Sequence, residues 1–156
     1  MSIQVKRILA PVDFSRASRF ALRSACQLAE LFGARLDILY VIPAIPTLPA
    51  DMNYTFPVPE YERSLREMAD EKLAELISAE CSSGVPTRQL VSHGDPASEI
   101  VRVAAEESAD WIVISTHGLT GWRHLVFGSV TEKVVRLADR PVHVISSRQA
   151  EGETAR

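Results

Sequence analysis

Cysteine, long apolar runs and clusters of basic residues are all scarce in this sequence of 156 residues. The two cysteines, Cys26 and Cys81, show no CxxC or Cys/His spacing, so we interpret both as reduced structural thiols rather than metal ligands. No stretch approaches the roughly 18 to 20 apolar residues that a membrane helix needs, and the first residues lack the pattern of a signal peptide. We therefore expect no membrane association and a cytoplasmic location.

The charges are nearly balanced and well mixed. The 17 lysines and arginines are scattered among 20 aspartates and glutamates, which gives a formal net charge of −3. No basic block is present that could follow a phosphate backbone, so a nucleic-acid partner is not expected. Apolar residues make up 46% of the chain, which is enough to form one hydrophobic core at this length. We expect one domain over residues 1–149 and a frayed polar tail over residues 150–156.

Short apolar runs alternate five times with longer segments of helical period. This alternation predicts an α/β domain in which helices cover a parallel sheet. The most polar of the five runs is the third, which suits a strand at the edge of the sheet. The predicted strands cover residues 8–12, 36–42, 87–92, 111–115 and 142–145.

Capping residues set the predicted helix starts. Ser15 is a predicted N-cap, and Asp95 is another, followed by Pro96 at the first helical position. Ser129 with Glu132 three residues later predicts a capping box for the last helix. A proline-rich stretch over residues 43–59 is a predicted loop, either a lid over a site or a loosely ordered connection.

The loop after the fourth strand is the best candidate for a binding site, because ligands bind beyond the carboxyl ends of parallel strands. Glycines at positions 118, 121 and 128 leave backbone N–H groups unshielded, and Gly128 and Ser129 lie at the start of a helix. Such a place attracts phosphate, with Arg123 as a further charge. The alternative is an ordinary surface loop with Ser129 as a simple N-cap. The spacing matches neither GxxxxGK[ST] nor GxGxxG.

Four blocks together resemble the universal stress protein family over nearly the whole chain: residues 8–15, 39–41, 94–100 and 115–142. Members of that family that bind ATP share a motif of Gly, two residues, Gly, nine residues, then Gly and Ser or Thr. Gly118 and the pair Gly128 and Ser129 match its second and third parts. The first glycine is replaced by Ser115, whose side chain could point toward the ribose or the α-phosphate.

The resemblance implies a Rossmann-like five-stranded parallel sheet of order 3-2-1-4-5 with helices on both faces. It also implies that ATP or AMP binds, with Mg²⁺ or Mn²⁺ accompanying ATP through phosphate oxygens and water. Asp13 would contact the ribose, although a carboxylate there could instead cap the first helix, and the backbone at Val41 would meet the adenine. The candidate nucleotide-binding residues are Pro11, Val12, Asp13, Val41, Ser115, His117, Gly118, Arg123, Gly128, Ser129, Val130 and Thr131.

In function, the resemblance implies a dimeric stress-response module that binds adenine nucleotide and regulates an unidentified protein partner. The homodimer would form through the strand at residues 142–145. Two alternatives remain open: a slow ATPase or phosphotransferase, and a dimeric interaction protein that binds no nucleotide. No nucleophile is paired with a base in a catalytic spacing, which favours binding over catalysis and predicts no catalytic residue.

Overall fold

The computed structural model describes residues 4–44, 58–117 and 127–146. Within them a five-stranded, all-parallel sheet has the strand order β3-β2-β1-β4-β5, so the predicted topology is confirmed. The elements in chain order are β1 (Arg7–Val12), α1 (Arg16–Phe32), β2 (Arg35–Pro43), α2 (Val58–Glu80), β3 (Thr87–Gly94), α3 (Pro96–Glu106), β4 (Trp111–Ser115), α4 (Ser129–Leu137) and β5 (Val142–Ile145).

The central strands are buried on both faces, which explains why they are continuous apolar runs. Ile8 packs in a core with residues of α1 and α2, whereas its neighbour Leu9 packs in a second core with residues of α3 and α4. Successive side chains of a strand point to opposite faces, so one strand supplies both cores. The result is a three-layer arrangement whose carboxyl strand ends share one edge of the sheet.

Two of the predicted helix caps are confirmed. Ser15 accepts a hydrogen bond from the Ser18 amide at the start of α1, and Asp95 accepts one from the Ser98 amide at the start of α3. Helix α1 ends at Gly33, whose φ of 63° lies in the left-handed region that glycine tolerates.

The predicted capping box at the last helix is wrong. The N-cap of α4 is Gly128, which has no side chain to offer, and Ser129 is the first helical residue. The physical reason is tertiary. The Gly128 amide donates to the Thr116 carbonyl at 2.7 Å, which ties Gly128 to the end of β4 and sets the helix start one residue earlier than the cap chemistry of serine suggested.

The prediction of reduced thiols is also wrong. Cys26 of α1 and Cys81, one residue beyond α2, form a disulfide with their Cα atoms 5.7 Å apart. The two residues are 55 positions apart in sequence and come together because α1 and α2 pack on the same face of the sheet. Local spacing rules do not detect such a pair.

One carboxylate, Asp37 of β2, is completely buried. Arg35 donates to it at 2.8 Å, and Arg88 of the neighbouring strand β3 donates at 3.1 and 3.2 Å. Glu107 completes the group by pairing with Arg88. A buried charge of this kind requires such partners. The ion pairs between Asp37 and Arg88 therefore link β2 to β3.

No described helix has both the length and the apolar character needed to cross a membrane.

Candidate functional site

A cavity of about 300 Å³ lies at the carboxyl edge of the sheet. Its walls come from the ends of β1, β2 and β4 and from the amino-terminal parts of α1, α3 and α4. This is the place where an open parallel sheet offers a crevice to a ligand. All ten candidate residues that the structure describes line it: Pro11, Val12, Asp13, Val41, Ser115, His117, Gly128, Ser129, Val130 and Thr131. The other two candidates, Gly118 and Arg123, lie outside the described residues.

The cavity has further lining residues that the sequence reasoning missed: Ser18, Leu39, Tyr40, Pro43, Pro96, Ile100 and Ile114. Four of them, Leu39, Tyr40, Pro43 and Ile114, lie toward the carboxyl ends of β2 and β4, where the strand-end rule could have found them. Pro96 and Ile100 belong to α3, and their inclusion depends on how that helix packs on the sheet. No local sequence signal predicts that packing.

The turn between β1 and α1 brings Asp13 to the cavity and holds it there. Asp13 Oδ1 accepts a hydrogen bond from the Ser15 amide at 3.0 Å, and the Asp13 amide donates to Ser18 Oγ at 3.3 Å. Phe14, between them, has a φ of 64°, an uncommon value for a residue with a side chain. Asp13 therefore shapes the turn ahead of α1 and lines the cavity, whereas the N-cap of α1 is Ser15.

The aromatic ring of Phe14 packs against Tyr40, with ring centroids 4.7 Å apart. Burial, with a smaller contribution from the negative charge of Asp13, raises the pKa of Tyr40 above its ordinary value. The phenol is protonated at neutral pH, as it would be at its ordinary pKa. Tyr40 lines the cavity, and its ring packs against Phe14 and the core that α1 and α2 share.

Hydrogen bonds join the end of β4 to the start of α4 and to the end of β5. The Thr131 hydroxyl donates to the Ser115 carbonyl at 2.7 Å, and the Gly128 amide donates to the Thr116 carbonyl at 2.7 Å. On the other side, the Thr116 amide donates to the Ile145 carbonyl at 2.9 Å. The start of α4 is thus fixed against the cavity by contacts that do not involve a ligand.

The start of α4 is also the part of the cavity wall best suited to an anion. The first backbone N–H groups of a helix have no partner within the helix, and the helix dipole places partial positive charge there. In α1 and α3 a side chain takes up one such donor, whereas the glycine cap of α4 takes up none. The N–H groups of Ser129, Val130 and Thr131 are therefore the available donors at this wall.

Among the described residues, no group of three or more histidine, cysteine, aspartate or glutamate side chains is arranged to hold a metal ion. In the cavity, Asp13 is the carboxylate and His117 the imidazole of the described lining. His117 Nδ1 lies 3.1 Å from Thr116 Oγ1, a contact that orients the ring within its own loop. The described wall combines backbone amide donors at the start of α4 with apolar side chains from β1, β2, β4 and α3.

Comparison with known proteins identifies the family to which this chain belongs. The family model of the Universal stress protein family matches residues 4–146. The universal stress protein MJ0531 of Methanocaldococcus jannaschii is 32% identical, over 94% of this chain and 85% of its own length. The universal stress protein MJ0577 of the same organism is 28% identical, over 96% of this chain and 100% of its own length.

Solved structures share the fold. The structure of MJ0577 superposes with a TM-score of 0.74 and covers 92% of this chain and 97% of its own. The universal stress protein from Archaeoglobus fulgidus, solved in complex with dAMP, superposes with a TM-score of 0.60 at 24% identity and covers 92% of this chain and 99% of its own. At that identity the likeness is one of fold.

Proposed function

The chain belongs to the universal stress protein family, and on that premise we propose that its cavity binds an adenine nucleotide, ATP or AMP. The observation that carries this proposal is the start of α4. An N-terminus capped by a glycine without a side chain forms one wall of a cavity of about 300 Å³. Backbone N–H groups at such a position bind phosphate oxygens. A relative of the same fold, the Archaeoglobus fulgidus protein, holds dAMP.

The opposite part of the cavity suits a base and a sugar. Leu39, Val41, Ile100 and Ile114 supply apolar surface, and Pro11 extends it along β1. Cavities that bind small molecules combine such apolar walls with a few polar groups that fix orientation. We assign the adenine to this end, with its edge against the backbone at Val41, and the ribose hydroxyls to Asp13.

A nucleotide fits these residues, whereas a protein-held metal site does not. The described residues contain no group of three metal-ligating side chains. Mg²⁺ or Mn²⁺ bound with ATP would therefore be held by phosphate oxygens and water, as is common for Mg²⁺ with nucleotides. The contribution of the protein is to place the phosphates along Gly128, Ser129, Val130 and Thr131, with Gly118 and Arg123 as further candidates.

The proposed role is regulatory. A nucleotide that binds one conformation of the protein more tightly than another shifts the protein toward that conformation, and this needs no turnover. We propose a cytoplasmic homodimer, formed through β5, whose occupancy by ATP or AMP controls binding of a protein partner in a stress response. Strand β5 forms the end of the sheet, and exposed Val135 and Leu137 lie on the preceding helix α4.

Thermal unfolding in the presence of ATP, AMP, GTP or no nucleotide, with and without Mg²⁺, tests the proposal. A ligand at a hundred times its Kd stabilises the folded state by about 2.7 kcal/mol, which for this chain length raises the midpoint by about 5–10 °C. We expect this rise with ATP or AMP. We expect little with GTP, because guanine presents a different set of donors and acceptors to the backbone at Val41.

Absence of a rise with every adenine nucleotide, in protein shown to carry none from purification, would contradict the proposal. The nucleotide-free interaction protein would then be the better description of this chain. An equal rise with GTP would show a phosphate site without selectivity for the base.

A further inference from the structure

Ser115 occupies the first glycine position of the family motif, and its hydroxyl has a specific partner. Ser115 Oγ donates to the carbonyl oxygen of His117 at 2.8 Å. The residue is buried, with 6% of its surface exposed, and it lines the cavity. A hydrogen bond over two residues closes a tight turn at the end of β4, directly before the glycine-rich part of the chain.

This hydrogen bond decides what Ser115 can offer a nucleotide. A serine hydroxyl carries one hydrogen, and here that hydrogen is used by the His117 carbonyl. The phosphate oxygens of a nucleotide are mostly deprotonated at neutral pH and act as hydrogen-bond acceptors, whereas the Ser115 oxygen would present only lone pairs to them. The serine is therefore poorly suited to contact phosphate directly.

The same turn is attached to the wall that would bind phosphate. The Ser115 carbonyl accepts from the Thr131 hydroxyl, and the Thr116 carbonyl accepts from the Gly128 amide, each at 2.7 Å. The backbone over residues 115–117 is thus held by the hydrogen bond from the Ser115 side chain and by the hydrogen bonds from Thr131 and Gly128 at the start of α4. A change in the turn would move the Thr116 carbonyl and, with it, the position of Gly128.

We propose that Ser115 is a positioning residue, which holds the turn at residues 115–117 so that the start of α4 is preorganised for the phosphates of the nucleotide. The inference rests on the proposed function. Without the hydroxyl, the turn loses the hydrogen bond that joins the Ser115 side chain to the His117 carbonyl. A carbonyl oxygen that turned toward the cavity would repel phosphate, and the Gly128 amide would be held less firmly.

The departure from the family motif is accordingly an adaptation of the site rather than damage to it. Restoring the motif glycine removes the hydroxyl and also loosens the backbone, because glycine has more conformational freedom than serine. Ser115→Gly should therefore weaken the binding of phosphate-bearing ligands, whereas an obstructing serine would make the same change strengthen it.

Calorimetric titration of ATP, AMP and adenosine into the wild type, Ser115→Ala and Ser115→Gly tests the assignment. The control is Ser24→Ala, which removes a hydroxyl that donates to the Phe20 carbonyl within α1, away from the cavity. We expect the Kd of ATP and AMP to rise about threefold to tenfold in both Ser115 variants, the usual effect of one hydrogen bond. The Kd of adenosine and all values for Ser24→Ala should change by less than about twofold.

A lower Kd for ATP in Ser115→Gly, or no change in Ser115→Ala, would overturn the inference. Equal weakening of ATP and adenosine would assign Ser115 a general structural role instead.

A second measurement needs no ligand. Amide hydrogen exchange at Gly128 should be faster in Ser115→Ala than in the wild type and unchanged in Ser24→Ala. If the wild type binds none of the three ligands, the proposed function fails, and the exchange rate at Gly128 still decides whether Ser115 positions the turn. Unchanged exchange in Ser115→Ala would overturn that role.

Discussion

The hydroxyl groups that line the cavity differ in what they can give to a ligand. The hydrogens of Ser115 and Thr131 are both used by backbone carbonyls, those of His117 and Ser115 respectively. Ser129 lies at the first position of α4 with an exposed side chain. Of these three residues, Ser129 is the one whose hydroxyl can turn to a phosphate, and Thr131 contributes its backbone N–H rather than its side chain.

The backbone angle of Gly128 does not require a glycine, and a Cβ there would make only ordinary van der Waals contacts. Its φ is −69°, which any residue can adopt. A Cβ added there would lie 3.4 Å from the Thr116 carbonyl oxygen and 3.6 Å from the Cα of His117. The methyl groups of a β-branched side chain would extend beyond these contacts, and we expect them to lie between the end of β4 and the amide donors of α4. A Cβ added at Gly84 meets nothing within 4 Å, so Gly84 provides a matched comparison outside the cavity.

At the scale of elements, the disulfide between Cys26 and Cys81 joins α1 to the end of α2 and closes a long loop of chain. Such a bond restricts the unfolded state, and we expect reduction with dithiothreitol to lower the free energy of unfolding by about 2–4 kcal/mol. Urea denaturation with and without reductant measures this difference. Cys26→Ser and Cys81→Ser should each unfold at the same urea concentration under both conditions.

Wild-type protein whose unfolding does not respond to reductant would contradict the disulfide. Two free thiols per chain, measured in protein purified without reductant, would contradict it as well.

Helix starts that depend on contacts between near neighbours in the sequence are predicted correctly, and the one that depends on a tertiary contact is not. Ser15 and Asp95 are predicted correctly because each cap is a contact between a side chain and an amide three residues away. The start of α4 is predicted incorrectly because it is set by a hydrogen bond between Gly128 and Thr116, twelve residues apart along the chain. The disulfide is missed for the same reason, since it depends on the packing of two helices.

At the scale of the whole molecule, the proposed homodimer would form through the outer edge of β5. The carbonyls of Pro141 and Ile145 accept hydrogen bonds from the β4 side. Neighbouring residues of a strand direct their backbone groups to opposite sides, so Val142 and Val144 direct theirs to the outer edge of the sheet. An exposed edge of this kind can pair with a second strand.

Replacement of Val144 by proline removes one outward N–H group and leaves the hydrogen bonds to β4 in place. We expect Val144→Pro to be a monomer in light scattering at micromolar concentration, whereas Val144→Ala, which keeps the N–H group, remains a dimer like the wild type. A monomeric wild type, or a Val144→Pro variant that is still a dimer, would contradict pairing through β5.

The parallel sheet and the position of the cavity are the features best predicted from the residue pattern, whereas the strand order is implied by the family resemblance. The alternation of runs predicts a parallel sheet, and a parallel sheet has its crevice at the carboxyl strand ends. Pro96 and Ile100 are missed because α3 reaches the cavity through packing and not through a strand end. The direction of the Ser115 hydroxyl could not be predicted either, since it depends on where the His117 carbonyl lies.

The central claim is that phosphate binds at the start of α4, and titration of ATP into Gly128→Val and Gly84→Val tests it most directly. We expect the Kd of ATP to rise more than about tenfold in Gly128→Val, equivalent to the loss of about 1.4 kcal/mol, and to stay at the wild-type value in Gly84→Val. Circular dichroism establishes that both variants are folded. Wild-type affinity in folded Gly128→Val would contradict the claim and would place any bound nucleotide elsewhere on the molecule.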